Sequence, residues 1–271
     1  MPNSRVVMVT GASGGIGKAC AEYLGRHGYR AYGTSRGAAD GISEAGSFHM
    51  VRMDVTDPAS VTNAVGLVAG HEGRIDALVN NAGYHAVGPL ECMSLDEIER
   101  SWRTNCLGSI LVTRSVIPLM RAQGSGCIIN LSSIGGILGL AFQGAYSGSK
   151  FALEGMTESL RAELRPFGIK VCLIEPGDIR HQDCHSEAEV PPEYREAFER
   201  VMQVAWSDEE KGYPPERIGP LVERIISIRS PRTRYVFGQP FQSAVPILKR
   251  LLPNRIAEWA IRLYYNNNSS R

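Results

Sequence analysis

Apolar positions along the chain follow two alternating patterns. Val6-Val7-Met8-Val9 is an uninterrupted apolar run, and after a polar turn comes a stripe at helical spacing, Ile16, Ala19, Cys20, Tyr23 and Leu24. The same pair of patterns recurs. Strands are predicted at Arg30 to Thr34, Phe48 to Asp54, Asp76 to Asn80, Gly126 to Ser132, Ile169 to Glu175 and Arg234 to Phe237, which with the first makes seven. Helical periodicity falls between them, near 57 to 71, 94 to 122, 146 to 166 and 216 to 228. Several strands are nearly continuous in apolar residues, as parallel strands covered on both faces must be. The alternation predicts a single α/β domain built on a doubly wound, seven-stranded parallel sheet, with a ligand crevice at the carboxyl ends of the strands.

Two stretches break the alternation. Residues 178 to 215 are long, polar and interrupted by Pro191-Pro192 and Pro214-Pro215, which reads as a substrate loop or lid. Residues 241 to 266 are apolar and basic, with Pro246 and Pro253 dividing them into two short helices. The organisation expected is therefore a domain over 1–240 that includes the loop 178–215, and an amphipathic helical extension over 241–271. Such a tail can pack over the cleft, join subunits or lie on a membrane surface; packing on its own protein is the expected state.

Composition narrows the class. Of the 271 residues, 43% are hydrophobic and 21% charged, enough to bury a sizeable core, and the formal charge of +1 offers no global field for nucleic acid. Any phosphate site must be local. Six cysteines (Cys20, Cys92, Cys106, Cys127, Cys172 and Cys184) include no C-x-x-C pair and read as small apolar residues, so no metal site is expected. Neither a signal peptide nor a membrane span is recognised, and a cytoplasmic location is expected.

The first turn carries candidate chemistry. Thr10-Gly11-Ala12-Ser13-Gly14-Gly15-Ile16-Gly17 joins the first strand to the first helix, where backbone N–H groups and the helix dipole can hold a dinucleotide pyrophosphate. Its glycines fit both T-G-x-x-x-G-x-G and T-G-x-x-G-x-x-G, so the turn alone does not choose a subfamily. At the end of the second strand an acidic residue would bond a ribose 2′-hydroxyl, but the sequence is Gly33-Thr34-Ser35-Arg36. Ser35 and Arg36 can instead bind a 2′-phosphate, so NADP(H) is favoured over NAD(H). Asp54-Val55, after the third predicted strand, can hold the adenine edge; a helix-capping Asp is the plain alternative.

Tyr146 and Lys150 stand four apart in a helical pattern and so share a face. A phenol is a poor base at neutral pH, and a neighbouring ammonium favours its ionised form. Alone, such a pair is far more often a surface contact. It is joined by Ile128-Ile129-Asn130-Leu131-Ser132-Ser133, a strand delivering hydroxyls at its carboxyl end, by Asn80-Asn81-Ala82-Gly83 closing the fourth predicted strand, and by Asn105 inside a long helix.

With these segments assembled, residues 5 to 177 resemble the short-chain dehydrogenase/reductase family, in its short single-domain branch with a Rossmann-type fold. The shared motifs are T-G-x-x-x-G-I-G, N-N-A-G, an Asn in the fourth helix, a Ser thirteen residues before the Tyr, and Y-x-x-x-K. Chain length and N-N-A-G settle the glycine spacing. The resemblance implies that Tyr146 is the general acid in reduction, that Lys150 holds the nicotinamide ribose and tunes Tyr146, that Ser133 orients the substrate oxygen, and that Asn105 anchors a proton-relay water. Only the thirteen-residue offset favours Ser133 over Ser132. It further implies a cofactor site of Gly11, Ser13, Gly14, Gly15, Ile16, Gly17, Asn81, Ala82, Gly83, Pro176, Gly177 and Ile179, with Tyr146 and Lys150 at its reacting end.

One position departs from the family: His181 stands where a Thr normally contacts the nicotinamide carboxamide, and a plain loop histidine is as consistent with the sequence as a functional one. Ile134, Leu138, Leu140, Phe142, Trp206 and Tyr213 near the cleft suggest a hydrophobic carbonyl or alcohol, and the segment around Tyr146 and Phe151 to Gly155 is similar to the hydroxysteroid and retinol dehydrogenase subgroup. The function expected is an NADP(H)-dependent oxidoreductase working as a reductase, in a homodimer or homotetramer. The rival reading is a cofactor-binding scaffold protein without turnover.

Overall fold

A computed structural model describes residues 4–180 and 185–268. The chain opens with β1 (Val6–Thr10), α1 (Gly15–Arg26), β2 (Arg30–Ser35), β3 (Ile42–Ala45), β4 (Phe48–Arg52) and α2 (Pro58–Glu72). It continues through β5 (Ala77–Asn80), β6 (His85–Val87), α3 (Leu95–Trp102), a π-helical turn at Arg103–Gly108, α4 (Ser109–Ala122), β7 (Gly126–Leu131), α5 (Gly144–Leu164) and β8 (Ile169–Pro176). It closes with β9 (His185–Glu187), α6 (Pro192–Glu210), α7 (Ile218–Ser227), β10 (Arg234–Phe237), α8 (Pro240–Ser243), α9 (Val245–Leu251) and α10 (Asn254–Asn268).

The main sheet runs β10-β8-β7-β5-β1-β2-β4-β3, and its first seven strands are mutually parallel. These are the seven expected from the apolar runs. The eighth, β3, is antiparallel to β4 and forms a hairpin with it through Gly46 and Ser47; Gly46 takes the left-handed conformation, φ 70°, that the tight turn needs. The sheet is therefore eight-stranded and mixed at one edge. A second, two-stranded sheet pairs β6 with β9 in parallel.

Both faces of the main sheet are covered, which is why its strands need no polar alternation. On one face Val61, Val65, Val112, Val116 and Met120 from α2 and α4 pack on Met8, Leu78 and Ile128. On the other, Cys20, Leu24, Ile218, Val222 and Ile225 from α1 and α7 pack on Val7, Val79 and Ile129. Cys20, Cys106, Cys127 and Cys172 are free and buried and Cys92 is free and half-buried, whereas Cys184 and His181 lie outside the described residues.

The stretch 178 to 215, read from sequence as a loop, is half occupied by the helix α6. Pro191 and Pro192 start it rather than break it, because proline lacks only an N–H that the first turn leaves unpaired anyway. Its stripe of Phe198, Val201 and Met202 is buried. In the tail, Leu252-Pro253 separates α9 from α10, and α8 precedes them as a further short turn. Among the described residues, no helix is long and apolar enough to cross a membrane.

Candidate active site

Strand order reverses between β1 and β5, the place where a doubly wound sheet opens a crevice at its carboxyl edge. The loops after these two strands are locked together. Thr10 Oγ1 accepts bonds from the N–H groups of Asn81 and Ala82, both 2.9 Å, while the Asn81 carboxamide donates to the carbonyls of Thr10 at 2.9 Å and Gly11 at 3.1 Å. Gly11 has φ 69°, and a Cβ there would fall 2.8 Å from Ala82 Cα. At Gly17 a Cβ would collide with the Gly11 carbonyl and the Asn81 amide. Gly17 thus lets α1 approach the turn, from behind the cavity wall rather than as part of it.

Above the turn lies a cavity of about 840 Å³, long enough in its lining to reach from Ser35 and Arg36 to Tyr146 and on to the C-terminal helices. Gly11, Ser13, Gly14, Gly15, Ile16, Ser35, Arg36, Asp54, Val55, Asn81, Ala82, Gly83, Pro176, Gly177 and Ile179 all line it. Two observations fit a dinucleotide there. No side chain caps the first N–H groups of α1, which leaves them for an anion. A Cβ on Gly14 would meet no protein atom within 4 Å, so its absence leaves space on the cavity side of the turn. At the far end of this wall, burial opposes ionisation of Asp54, but bonds from Thr56 and the nearby Arg36 charge outweigh it and leave the carboxyl below its usual range. The Asp54 carboxylate accepts from its own loop at Thr56, as an Asx turn does, while its residue still faces the cavity.

Helix α5 brings Tyr146 and Lys150 to the other end. Lys150 is buried, donates to the Leu131 carbonyl at 2.8 Å, and lies 5.7 Å from the centre of the Tyr146 ring. Ser133 is half-buried beside the tyrosine: a Cβ on Gly135 would sit 3.2 Å from a Tyr146 ring carbon and 3.4 Å from Ser133 Oγ. Ser133 Oγ also accepts from the Gly135 N–H at 3.0 Å, which fixes its rotamer. Ser132 is buried instead toward Glu154, both crowding the position a Cβ on Gly136 would take. The geometry favours Ser133 as the residue beside the phenol.

Asn105 is the residue expected to anchor a relay water. It lies in the π-helical turn, a deviation often found at functional sites, yet it is fully buried and absent from the cavity wall. Its carboxamide donates to the Tyr84 carbonyl at 2.9 Å, Ser149 Oγ at 2.9 Å and Ser101 Oγ at 3.3 Å, and accepts from the Tyr84 N–H at 2.7 Å. The side chain ties the loop after β5 to α5. A similar buried net, Asn80 to Thr113 and Asn130 and on to Thr157, joins the neighbouring strands to α4 and α5.

Two features were not legible in sequence, and a third, the tail, takes one of the placements its sequence allowed. His85, on β6, lines the cavity with its ring centre 4.4 Å from that of Tyr146, and its Nε2 pairs with Gln143 Oε1 at 2.8 Å. The tail roofs the cavity through Phe241, Val245, Leu248, Leu252, Ile261 and Tyr264. It is held by Tyr264 donating to Asp208 on α6 and by Gln242 donating to Asp178. Burial and the Asp208 charge push Asp178 up to about 6. Behind the site, Arg234 bridges the buried carboxylates of Glu154 and Glu175 and the exposed Glu158. Burial, with the Glu175 charge, pushes Glu154 up to about 7 against the pull of Arg234.

The family model described as "short chain dehydrogenase" matches residues 5–189. The chain is 36% identical over 266 residues to 3-ketodihydrosphingosine reductase of Bacteroides thetaiotaomicron, covering 96% of this chain and 98% of that one. It is 32% identical over 269 residues to human 17-beta-hydroxysteroid dehydrogenase type 1, covering 91% and 80%. A solved short-chain dehydrogenase from Streptomyces avermitilis superimposes with a TM-score of 0.82 at 28% identity, covering 100% and 98%. With sheet, glycine turn and Tyr-Lys helix all in place, the chain belongs to the short-chain dehydrogenase/reductase family, oxidoreductases that use a nicotinamide cofactor on CH–OH and carbonyl groups.

Proposed function

We propose that this protein is an NADP(H)-dependent reductase of hydrophobic ketones or aldehydes. The observation that carries the reading is one continuous cavity, with Ser35 and Arg36 at one end, Tyr146, Ser133 and Lys150 further along, and an apolar roof contributed by the tail. When bound, the dinucleotide supplies the hydride. Tyr146 donates the proton to the carbonyl oxygen, and Ser133 holds that oxygen by a second hydrogen bond. The buried Lys150 ammonium, bonded to Leu131, favours the phenolate left behind, and would hold a ribose hydroxyl of the bound cofactor. Asn105 acts as a positioning residue, tying the loop after β5 to the helix that carries Tyr146.

The relatives' names support a lipid-like substrate, since one is a ketodihydrosphingosine reductase and another a hydroxysteroid dehydrogenase. The apolar roof points the same way. We read residues 1–240 as the catalytic unit and 241–271 as an extension that completes its cavity. Leu95, Trp102, Leu107, Phe151 and Met156 are exposed on adjoining turns of α3, the π-turn and α5, a face suited to a second copy of the chain. A homodimer or homotetramer in a cytoplasmic setting is accordingly part of the proposal, and light scattering that gave a monomer at micromolar concentration would remove the oligomer from it.

Cofactor preference has its own test. Arg36→Asp exchanges a phosphate-binding charge for a repelling one and adds a second acid near Asp54. The KM for NADPH should rise roughly tenfold to a hundredfold, the worth of one charge-assisted bond, while that for NADH holds or falls. An unchanged KM for NADPH would contradict the assignment of Arg36.

A further inference from the structure

The reacting end of the cavity is not uniformly apolar. Among its described lining residues His85 is the sole imidazole, and its ring lies beside the phenol of Tyr146, tilted at 46° to it with the ring centres 4.4 Å apart. Its position is built from two directions. On one side β6 is pinned to β9 by parallel pairing at His85, Ala86 and Val87. On the other, Phe142 takes the left-handed conformation, φ 60°, and is the single non-glycine to do so among the described residues. A bulky residue seldom adopts that conformation without a compensating gain. Here it is held by the Phe142 carbonyl accepting from the Gly88 N–H at 2.7 Å and by edge-on packing against Phe198, and it is followed directly by Gln143. Gln143 is buried, 4% exposed, and holds the imidazole at 2.8 Å.

A buried glutamine spent on one imidazole at the mouth of a hydrophobic cavity has no role in the proton transfer described above. We infer that His85 is a specificity-determining residue, reading a hydrogen-bonding substituent on the carbon next to the reacting carbonyl. The reach is right: with the carbonyl oxygen on Tyr146, a hydroxyl or amine one or two bonds away comes level with a ring whose centre is 4.4 Å from that of the phenol. Because Gln143 Oε1 can only accept, His85 Nε2–H is its donor and Nδ1 of the neutral ring is an acceptor, to which either a hydroxyl or an amine can donate. The substrate class is then an α-hydroxy- or α-amino-ketone with a long apolar chain, polar at the reacting end and apolar beneath the tail. This inference rests on the carbonyl-reductase reading.

The test uses the full chain with NADPH and two ketones of equal chain length, one plain and one with a hydroxyl on the adjacent carbon. Wild type should prefer the hydroxyketone in kcat/KM. His85→Phe keeps a ring against Tyr146 but cannot hydrogen-bond, and should lower the ratio of the two kcat/KM values about tenfold, the worth of one such bond. His85→Asn should recover part of that ratio, and Gln143→Leu should lower it by less than His85→Phe does. A ratio that His85→Phe leaves unchanged, or a wild type without preference, overturns the inference while the reductase reading stands. If wild type reduces neither ketone, both fall. An equal loss on the two ketones with a displaced pH profile would make His85 a partner of Tyr146 rather than a reader of substrate.

Discussion

Tyr146→Phe should lower kcat for ketone reduction by about a hundredfold to ten-thousandfold, the range removed with a single positioned general acid, while leaving NADPH affinity within a few-fold of wild type. The change deletes one oxygen, and the ring stays half-buried against His85. Steady-state kinetics with a hydrophobic ketone and a fluorescence titration of NADPH separate the two quantities. The substitution leaves the Lys150 ammonium bonded to Leu131, which is why binding should survive when turnover does not. Retained turnover would show that the proton comes from elsewhere. Parallel loss of binding and turnover would make the residue structural.

Arg234→Met should be the most damaging substitution outside the cavity. Arg234 on β10 neutralises Glu154 and Glu175, whose side chains are 6% and 0% exposed. Removing one partner from a buried ionic group leaves uncompensated charge, typically worth about 3–5 kcal/mol; with Arg234 itself 35% exposed, about 3 kcal/mol is expected, or a fall in Tm of roughly 5–10 °C. The loss should depend on pH. Glu154 is raised to about 7 from an ordinary value of 4.5, so the folded state holds its proton more tightly than the unfolded chain. Its contribution is full below the unfolded value and is lost as pH rises through the folded one. Stability should accordingly decline from about pH 5 to about pH 7, Glu154→Gln should flatten that decline, and the Arg234→Met deficit should be smallest near pH 5. Thermal melts across this window check all three, and a deficit independent of pH would contradict the carboxylate explanation.

How far the sequence carried depended on whether a residue's partner was local. The seven parallel strands were legible because burial on both faces forces continuous apolar runs such as Val6 to Val9. Strand β3 was not, because Ile42-Ser43-Glu44-Ala45 is a short, half-buried edge strand with little apolar signal. Helix α6 was hidden by its charge and its two prolines, although Phe198, Val201 and Met202 carry a helical stripe. The glycine turn and the Tyr146-Lys150 pair could be found because loop geometry and helical spacing are local properties. Ser132 and Ser133 could not be separated by composition; successive extended residues point in opposite directions, and only the fold shows which one meets Tyr146 and which meets Glu154.

Asn105 and His85 mark the limit of that reading from both sides. A polar residue inside a helix suggested a water anchor, and the fold adds what the sequence did not show, that its carboxamide ties Tyr84 to Ser149. A histidine two residues after N-N-A-G suggested nothing, because Gln143, its partner, lies 58 positions away. The roof of the cavity was legible only as one option among three: an amphipathic tail declares an apolar face without saying what it covers, and here it covers the space beside Pro176, Gly177 and Ile179.

The central claim is that a hydride passes between a nicotinamide and a carbonyl carbon held at Tyr146. Incubating the full-length protein with a hydrophobic ketone and NADPH deuterated at the nicotinamide C4 position, then weighing the product by mass spectrometry, tests it most directly. The expected result is an alcohol of a single configuration carrying one deuterium on the carbinol carbon. Recovery of unreduced ketone across a panel of hydrophobic carbonyl compounds, with the cofactor bound and unconsumed, would contradict it and leave a dinucleotide-binding protein without turnover.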